Sequence, residues 1–223
     1  KKEVSMHLSE SEKLYKESEK AYKNKHYGDV LKISRKAMQE FQEALLLSFP
    51  SKTNEFRALW CHSASGIAGW DWDKAIENVK KNGFNAVVPN MLWGGLAYYP
   101  SDVLPVADGG DQIAKCLSAC RKYGVQVHVW KVNWNLSNAP TDFVERMRKE
   151  GRLQKDKQGK EVKWLCPSNQ ENYKLELESL LEIVRKYDVD GIHFDYIRYP
   201  DGNSCFCDTC KKGFEENIGA KLE

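Results

Sequence analysis

Apolar positions along the chain change their period once, near residue 50. Before that point they recur at helical intervals, as Leu14, Tyr15, Ala21 and Tyr22 and then as Val30, Ile33, Ala37, Met38, Phe41 and Leu45. Ser9 and Glu12 have capping-box spacing, and the run Lys25-His26-Tyr27-Gly28-Asp29 interrupts the pattern. Residues 1–49 therefore read as an α-helical hairpin whose Met and aromatic stripe is expected to be core, docked on its neighbour or on an upstream domain. Residues 50–55, opening on Pro50, read as a linker.

From Phe56 onward, short apolar runs alternate with amphipathic stretches. Strands are predicted over 57–62, 85–89, 125–130 and around 189–197. Helices are predicted over 72–82, 112–123, 141–150 and 171–186, with a further one starting at Thr209. Residues 162–165 are strand-like. Repeated βα units with long connections after the strands argue for a parallel sheet. The expected fold class is α/β: a partial (β/α)8 TIM barrel of about four βα units over 56–223, after the α-helical hairpin. A whole barrel takes about 250 residues, more than follow Phe56. The downstream half is thus expected from a longer protein or a second copy, and the open sheet edges point to self-association.

Composition alters this reading little. Of 223 residues, 41% are hydrophobic and 30% charged, enough for both a core and a solvated surface. The net charge of +2 offsets 34 basic with 32 acidic residues, which argues against nucleic acid as a partner. No apolar run approaches the roughly 18–20 residues of a membrane span.

The candidate chemistry concentrates in Asp190-Gly191-Ile192-His193-Phe194-Asp195-Tyr196-Ile197-Arg198-Tyr199-Pro200. Strand alternation turns His193 and Asp195 to one face and Ile192 and Phe194 to the other. An ionisable pair at the carboxyl end of a barrel strand is where such folds carry catalysis. The competing structural reading is that Asp195 caps the next helix or pairs with Arg198. Just beyond lies Cys205-Phe206-Cys207-Asp208-Thr209-Cys210, three thiols too close for good mutual disulfides but able to converge on one ion. Cys166, in the adjacent βα connection, is the natural fourth ligand of a zinc site. Reduced thiols, or a Cys166 disulfide in an oxidising compartment, are the alternatives. Cys61, Cys116 and Cys120 read as core.

These residues resemble the glycosyl hydrolase-like family 10 domain of bacterial (β/α)8 proteins, over its amino-terminal half. Its markers are Phe56-Arg57-Ala58-Leu59-Trp60, Tyr99-Pro100-Ser101, His128-Val129-Trp130, Pro167-Ser168-Asn169 and the Asp190 to Tyr196 strand. That strand is also similar, more loosely, to the nucleophile strand of the α-amylase family, with His193 and Asp195 at the matching positions. The resemblance implies hydrolysis of O-glycosidic bonds in a polysaccharide or oligosaccharide, peptidoglycan glycan being one family substrate, and favours an extracellular or periplasmic setting. It implies Asp195 as catalytic nucleophile or stabiliser, with the acid on a later strand. A sugar cleft would draw on His193, Arg198, His62, Asn90, Trp93, His128, Trp130, Asn133 and Trp134, whose hydroxyl-binding groups and flat faces suit pyranose rings. A similar three-cysteine loop plus a distant cysteine holds structural zinc in some β-galactosidase barrels, which supports Cys166, Cys205, Cys207 and Cys210 as a closed thiolate set. A non-catalytic carbohydrate-binding or scaffold protein on the same fold is the alternative function. A metal-dependent hydrolase using His62, His128 and His193 lacks evident carboxylate and bridging ligands.

Overall fold

The computed structural model describes residues 2–50, 52 and 54–221. The chain divides into two compact units, Lys1–Glu55 and Phe56–Glu223.

The first unit is a hairpin of α1 (Lys2–Lys23) and α2 (Tyr27–Ser48), turned at Lys25, whose φ is 59°. Ser9 and Glu12 lie inside α1, because the helix starts about two turns earlier than the capping-box spacing predicts. The seam between the helices is made of small and polar residues. Ser18, Ala37 and Ala44 are buried, Ser18 Oγ meets Ser34 Oγ at 2.7 Å, and Ser11 Oγ donates to the Ala37 carbonyl at 2.8 Å. The expected Met and aromatic core stripe is corrected: Met38, Phe41 and Leu45 are about half exposed within this unit. Close helix approach over serine and alanine leaves the larger side chains beside the seam.

The second unit is α/β. Four strands, β1 (Ala58–Cys61), β2 (Ala86–Trp93), β4 (Gln126–Val132) and β7 (Gly191–Asp195), pair in parallel in the order β1-β2-β4-β7. The chain adds each strand beside the last with no reversal, the order of a barrel and not of a doubly wound sheet. Two additions escaped the sequence patterns. β3 (Leu96–Ala97) folds back on the end of β2, and β5 (Leu153–Lys155) pairs with β6 (Glu161–Leu165) as a hairpin. β3 has two residues and β5 three, too short to show a period.

Helices α3 (Trp72–Lys81), α4 (Gln112–Tyr123) and α6 (Gln170–Lys186) cover one face of the sheet; α5 (Thr141–Lys149) and α7 (Asp208–Ile218) complete the unit. Their starts are capped as the sequence dictates. Asp71 accepts from Lys74 N–H, Asp111 from Ala114 N–H, and Asn169 from Glu171 and Asn172 N–H. Alternation along the strands sends Val87, Val127, Val129 and Ile192 to the helix side, against Ile76, Ile113, Cys116, Cys120 and Ile183. The opposite face, which points inward in a barrel, carries Trp60, Val88, Asn90, Trp130, Val132, His193 and Asp195. Among the described residues neither β1 nor β7 has a second strand partner. The architecture is a partial (β/α)8 barrel following a helical hairpin.

Tyr99 is fully buried and anchors a loop. Its hydroxyl donates to Glu182 Oε2 at 3.0 Å, beside Ser101 Oγ at 2.5 Å, while Asp102 N–H and Lys186 Nζ reach Oε1 at 2.7 and 2.8 Å. Burial raises the Glu182 carboxyl pKa, but Lys186, Ser101, Asp102 N–H and Tyr99 together outweigh it and hold it below the usual carboxylate range. A depressed folded pKa gives stability that is complete above the unfolded value, about 4.3, and is lost as pH falls through the folded value. Glu182→Gln is therefore expected to lower stability by about 1–3 kcal/mol at pH 7 and to flatten the acid limb of the stability curve, measured by urea unfolding from pH 7 down to 3.

The amino end of β7 is set by a close approach. A Cβ on Gly191 would lie 2.3 Å from His128 Nδ1. The His128 ring has little freedom, packed edge-on to Phe56 at 5.1 Å with Nε2 3.2 Å from Gln126 Oε1. Gly191→Ala is expected to cost about 1–3 kcal/mol, with most of it recovered in Gly191→Ala/His128→Ala. Thermal unfolding of the two variants reads this directly, and no recovery would remove His128 as the cause.

Candidate active site and cysteine centre

β7 pairs with β4 so that Trp130 stands beside His193 and Val132 beside Asp195. Asp195 thus sits at the carboxyl end of the sheet, facing inward. Each carboxylate oxygen has a donor. Trp130 Nε1–H reaches Oδ2 at 3.1 Å and Tyr196 N–H reaches Oδ1 at 2.7 Å. The main-chain carbonyl of Asp195 accepts twice from Asn133, from N–H at 3.0 Å and from Nδ2–H at 2.7 Å. The next residue, Tyr196, has φ 56°, and Trp134 beyond Asn133 has φ 64°. Non-glycine residues seldom occupy the left-handed region, and such positions cluster at functional sites.

Trp130 is the hub of an aromatic group. It stacks on Trp60 at 5.5 Å and 24°, with His62 edge-on to it at 4.8 Å. His193 lies edge-on to Trp60 at 5.4 Å. Trp60 is 60% exposed, so this group offers a flat face. Asn90 adjoins Trp130 in register; it is 2% exposed, and its Oδ1 has no hydrogen-bond partner among the described residues. An unpaired buried oxygen is costly and marks a place where an incoming donor would be well received.

Other expected cleft residues lie elsewhere or are otherwise engaged. His128 pairs with Gly191 at the opposite end of the strand, roughly 13 Å below Asp195 at strand rise. Trp93 packs on the inner cluster of Val88, Trp130 and Val132. Asn133 is buried and committed to the Asp195 carbonyl. Trp134 is core, packed with Leu136, Phe143 and Trp164. Arg198 makes no ion pair with Asp195. Its guanidinium lies over Tyr196 at 4.6 Å and Trp164 at 5.8 Å, and donates to the Tyr199 and Pro200 carbonyls. Tyr196 and Trp164, which sequence reasoning passed over, stack in parallel at 5.3 Å and 7°. Tyr196 stood in the motif beside Asp195; Trp164 carried no signal, because the β6 pairing that delivers it is non-local.

The connections above the site form one wall. Beyond β4, Leu136 N–H donates to the Lys163 carbonyl and Leu165 N–H to the Trp134 carbonyl, joining β6 to the turn at Trp134. On the far side of the hairpin, Phe206 N–H donates to the Lys155 carbonyl at 2.7 Å. Cys166 and Cys207 are buried, Cys205 and Cys210 half-buried, and the four Sγ atoms lie within 4.8 Å of one another. Cys166 Sγ is 3.5 Å from Cys207 and 3.4 Å from Cys210. Four sulfurs around one tetrahedral zinc would stand about 3.8 Å apart, from a Zn–S length near 2.3 Å, so the donor set fits such an ion. Hydrogen bonds from Cys166 and then Cys205 hold the Cys207 thiol well below its ordinary value, whereas Cys166 is pushed up by Cys205 and Cys207. Cys116 and Cys120 pack in the α4 core, Sγ to Sγ 4.0 Å, as expected of structural cysteines.

Among the described residues no helix is long and apolar enough to cross a membrane. At 23% identity over 233 residues, the chain is similar to an S-layer-related protein of Niallia circulans, covering 88% of this chain and 14% of that protein. It is similar at 23% identity over 215 residues to Glycosyl hydrolase YngK of Bacillus subtilis (strain 168), covering 76% of this chain and 40% of that protein. The chain thus spans less than half the length of either relative. Residues 55–209, which include every strand of the sheet and three of the four clustered cysteines in the β7–α7 region and beside β6, match the family described as Glycosyl hydrolase-like 10, and the chain belongs to that family.

Proposed function

We propose that this chain carries the Asp195 side of a glycosidase acting on a polysaccharide or oligosaccharide. The observation that supports it most is the placement of Asp195, at a strand end, aligned by the Trp130 indole, which itself stacks on the exposed Trp60 and adjoins Asn90, with its unpaired oxygen, in register. Glycosidic cleavage needs one carboxyl to protonate the leaving oxygen and another to attack or stabilise the oxocarbenium-like carbon. Asp195 fills the second role, since both its oxygens are oriented by N–H donors while its charge faces the inner side of the sheet. Trp60 and Trp130 take a pyranose face, and His62, Asn90 and His193 meet hydroxyls. Arg198 shapes the loop through Tyr196 and the carbonyls it binds. His128, Asn133, Trp93 and Trp134 contribute by holding strand ends and turns.

The acid is assigned to a part of the protein beyond these residues. Asp190 accepts from Val127 N–H at 2.8 Å and pairs with Arg121 at the amino end of the sheet, and Asp201 accepts from Asn203 N–H in its turn. That same observation favours the second reading, a carbohydrate-binding or scaffold protein without catalysis. In the full-length protein Asp195→Asn is expected to lower kcat by about 1,000-fold or more with folding and sugar binding retained. Near-normal hydrolysis by the variant removes Asp195 from the mechanism; sugar binding without hydrolysis in the wild type supports the second reading.

Cys166, Cys205, Cys207 and Cys210 are proposed to hold one structural zinc. A closed shell of four thiolates has no open position for water, so the ion would tie the β7–α7 loop to the β5–β6 hairpin and take no part in hydrolysis. Protein purified under reducing conditions is expected to carry about one zinc per chain, and Cys207→Ser to lose it and expose residues 199–211 to proteolysis. A metal-free wild type of unchanged stability would contradict this.

A further inference from the structure

The helix-covered face of the sheet is apolar except at one point. Lys131 of β4 is fully buried there, with Nζ 3.1 Å from Glu176 Oε2 and donating to Ser179 Oγ at 2.7 Å, both partners on α6. Burial pulls the Lys131 ammonium pKa down, and the Glu176 carboxylate opposes that pull. Buried ion pairs are commonly replaced by apolar residues of similar volume without loss of stability. Stability alone is therefore a poor reason for this one.

The second oxygen of Glu176 supplies a better one. Oε1 accepts the N–H of Trp134 at 3.1 Å. Trp134 is the centre of a γ-turn, φ 64°, in which Asn135 N–H donates to the Asn133 carbonyl at 2.7 Å. This conformation is rare for a residue with a β-carbon. Gly94 closes on the turn from another side, where a Cβ would stand 3.0 Å from the Trp134 carbonyl carbon and 3.1 Å from the Asn135 oxygen. Asn133, at the start of the turn, is the residue that grips the Asp195 carbonyl twice.

We propose that Glu176 and Lys131 are positioning residues for Asp195: Lys131 fixes the Glu176 carboxylate, Glu176 pins the turn at residues 133–135, and the turn sets the Asp195 backbone. The inference rests on Asp195 as the reacting carboxylate. Neither buried residue touches the inner face of the sheet; both act through Asn133.

Two double variants of the full-length protein separate positioning from packing. Lys131→Met/Glu176→Gln removes both charges but keeps an acceptor for the Trp134 N–H. Lys131→Met/Glu176→Leu removes the acceptor as well. Both are expected to fold, with melting temperatures near the wild type. The Gln form is expected to keep kcat within about 3-fold, while the Leu form loses about 10- to 100-fold in kcat at little-changed KM, the scale of a misplacement near 1 Å. A Leu form with wild-type kcat overturns the proposal, as does an equal loss in both forms. The Trp130 indole N–H resonance supplies a reading without activity, because it donates to Asp195. It is expected to move in the Leu form and stay in the Gln form; the reverse, or no movement in either, overturns the proposal even if the wild type hydrolyses no glycan. Should the Leu form not fold, Gly94→Ala presses the same turn with the ion pair intact. It should shift the same resonance, and an unmoved resonance there counts equally against the proposal.

Discussion

The parallel register of β4 against β7 is the constraint on which the candidate site depends. It sets Trp130 beside His193, one inward-facing position before Asp195, from where the indole N–H reaches the carboxylate. A slip of one residue would turn Asp195 to the helix side and Phe194 inward. Three features resist such a slip. The alternation of apolar residues on the helix side fixes which face is buried, Gly191 admits the His128 ring at one end, and Asn133 grips the Asp195 carbonyl at the other.

Around this register, the connections do more than join elements. The β5–β6 hairpin bonds on one edge to the turn beyond β4 and on the other to the segment carrying Cys205 and Cys207. Cys166, one residue past β6, brings the fourth sulfur to the cluster. Trp164, two residues earlier, stacks on Tyr196 directly after Asp195. A metal in the thiolate cluster, as proposed, would close a ring of contacts that begins and ends at Asp195. The same economy appears behind the sheet, where α6 presents Glu176 and Glu182 toward separate loops and so anchors both.

Much of this was legible in the sequence because it is local. The four parallel strands, helices α3, α4 and α6, and the strand-end position of Asp195 follow from periodicity and caps. The convergence of Cys166 on the CxCxxC loop follows from the adjacency of consecutive βα connections. What stayed hidden depends on non-local contacts. Asn133 and Trp134 looked like cleft residues, and only the β6 pairing shows Trp134 as core and Asn133 as a backbone clamp. Arg198 looked like an electrostatic partner for Asp195, but the left-handed turn at Tyr196 carries it onto an aromatic stack. Lys131 fell just past the predicted strand over 125–130, and its role needed Glu176 from 45 positions downstream. In the hairpin unit, helical spacing alone could not separate the serine and alanine seam from the larger apolar residues beside it.

As proposed, the inner face of this sheet binds a glycan with its scissile linkage at Asp195. A crystal structure of the full-length protein carrying Asp195→Asn, with an intact oligosaccharide bound, tests it most directly. A sugar ring is expected against Trp60 and Trp130, with a hydroxyl or amide donor on the Asn90 oxygen and the reacting carbon about 3–3.5 Å from the substituted side chain. An oligosaccharide bound away from the carboxyl end of β7, with Trp60 and Trp130 bare, would contradict it.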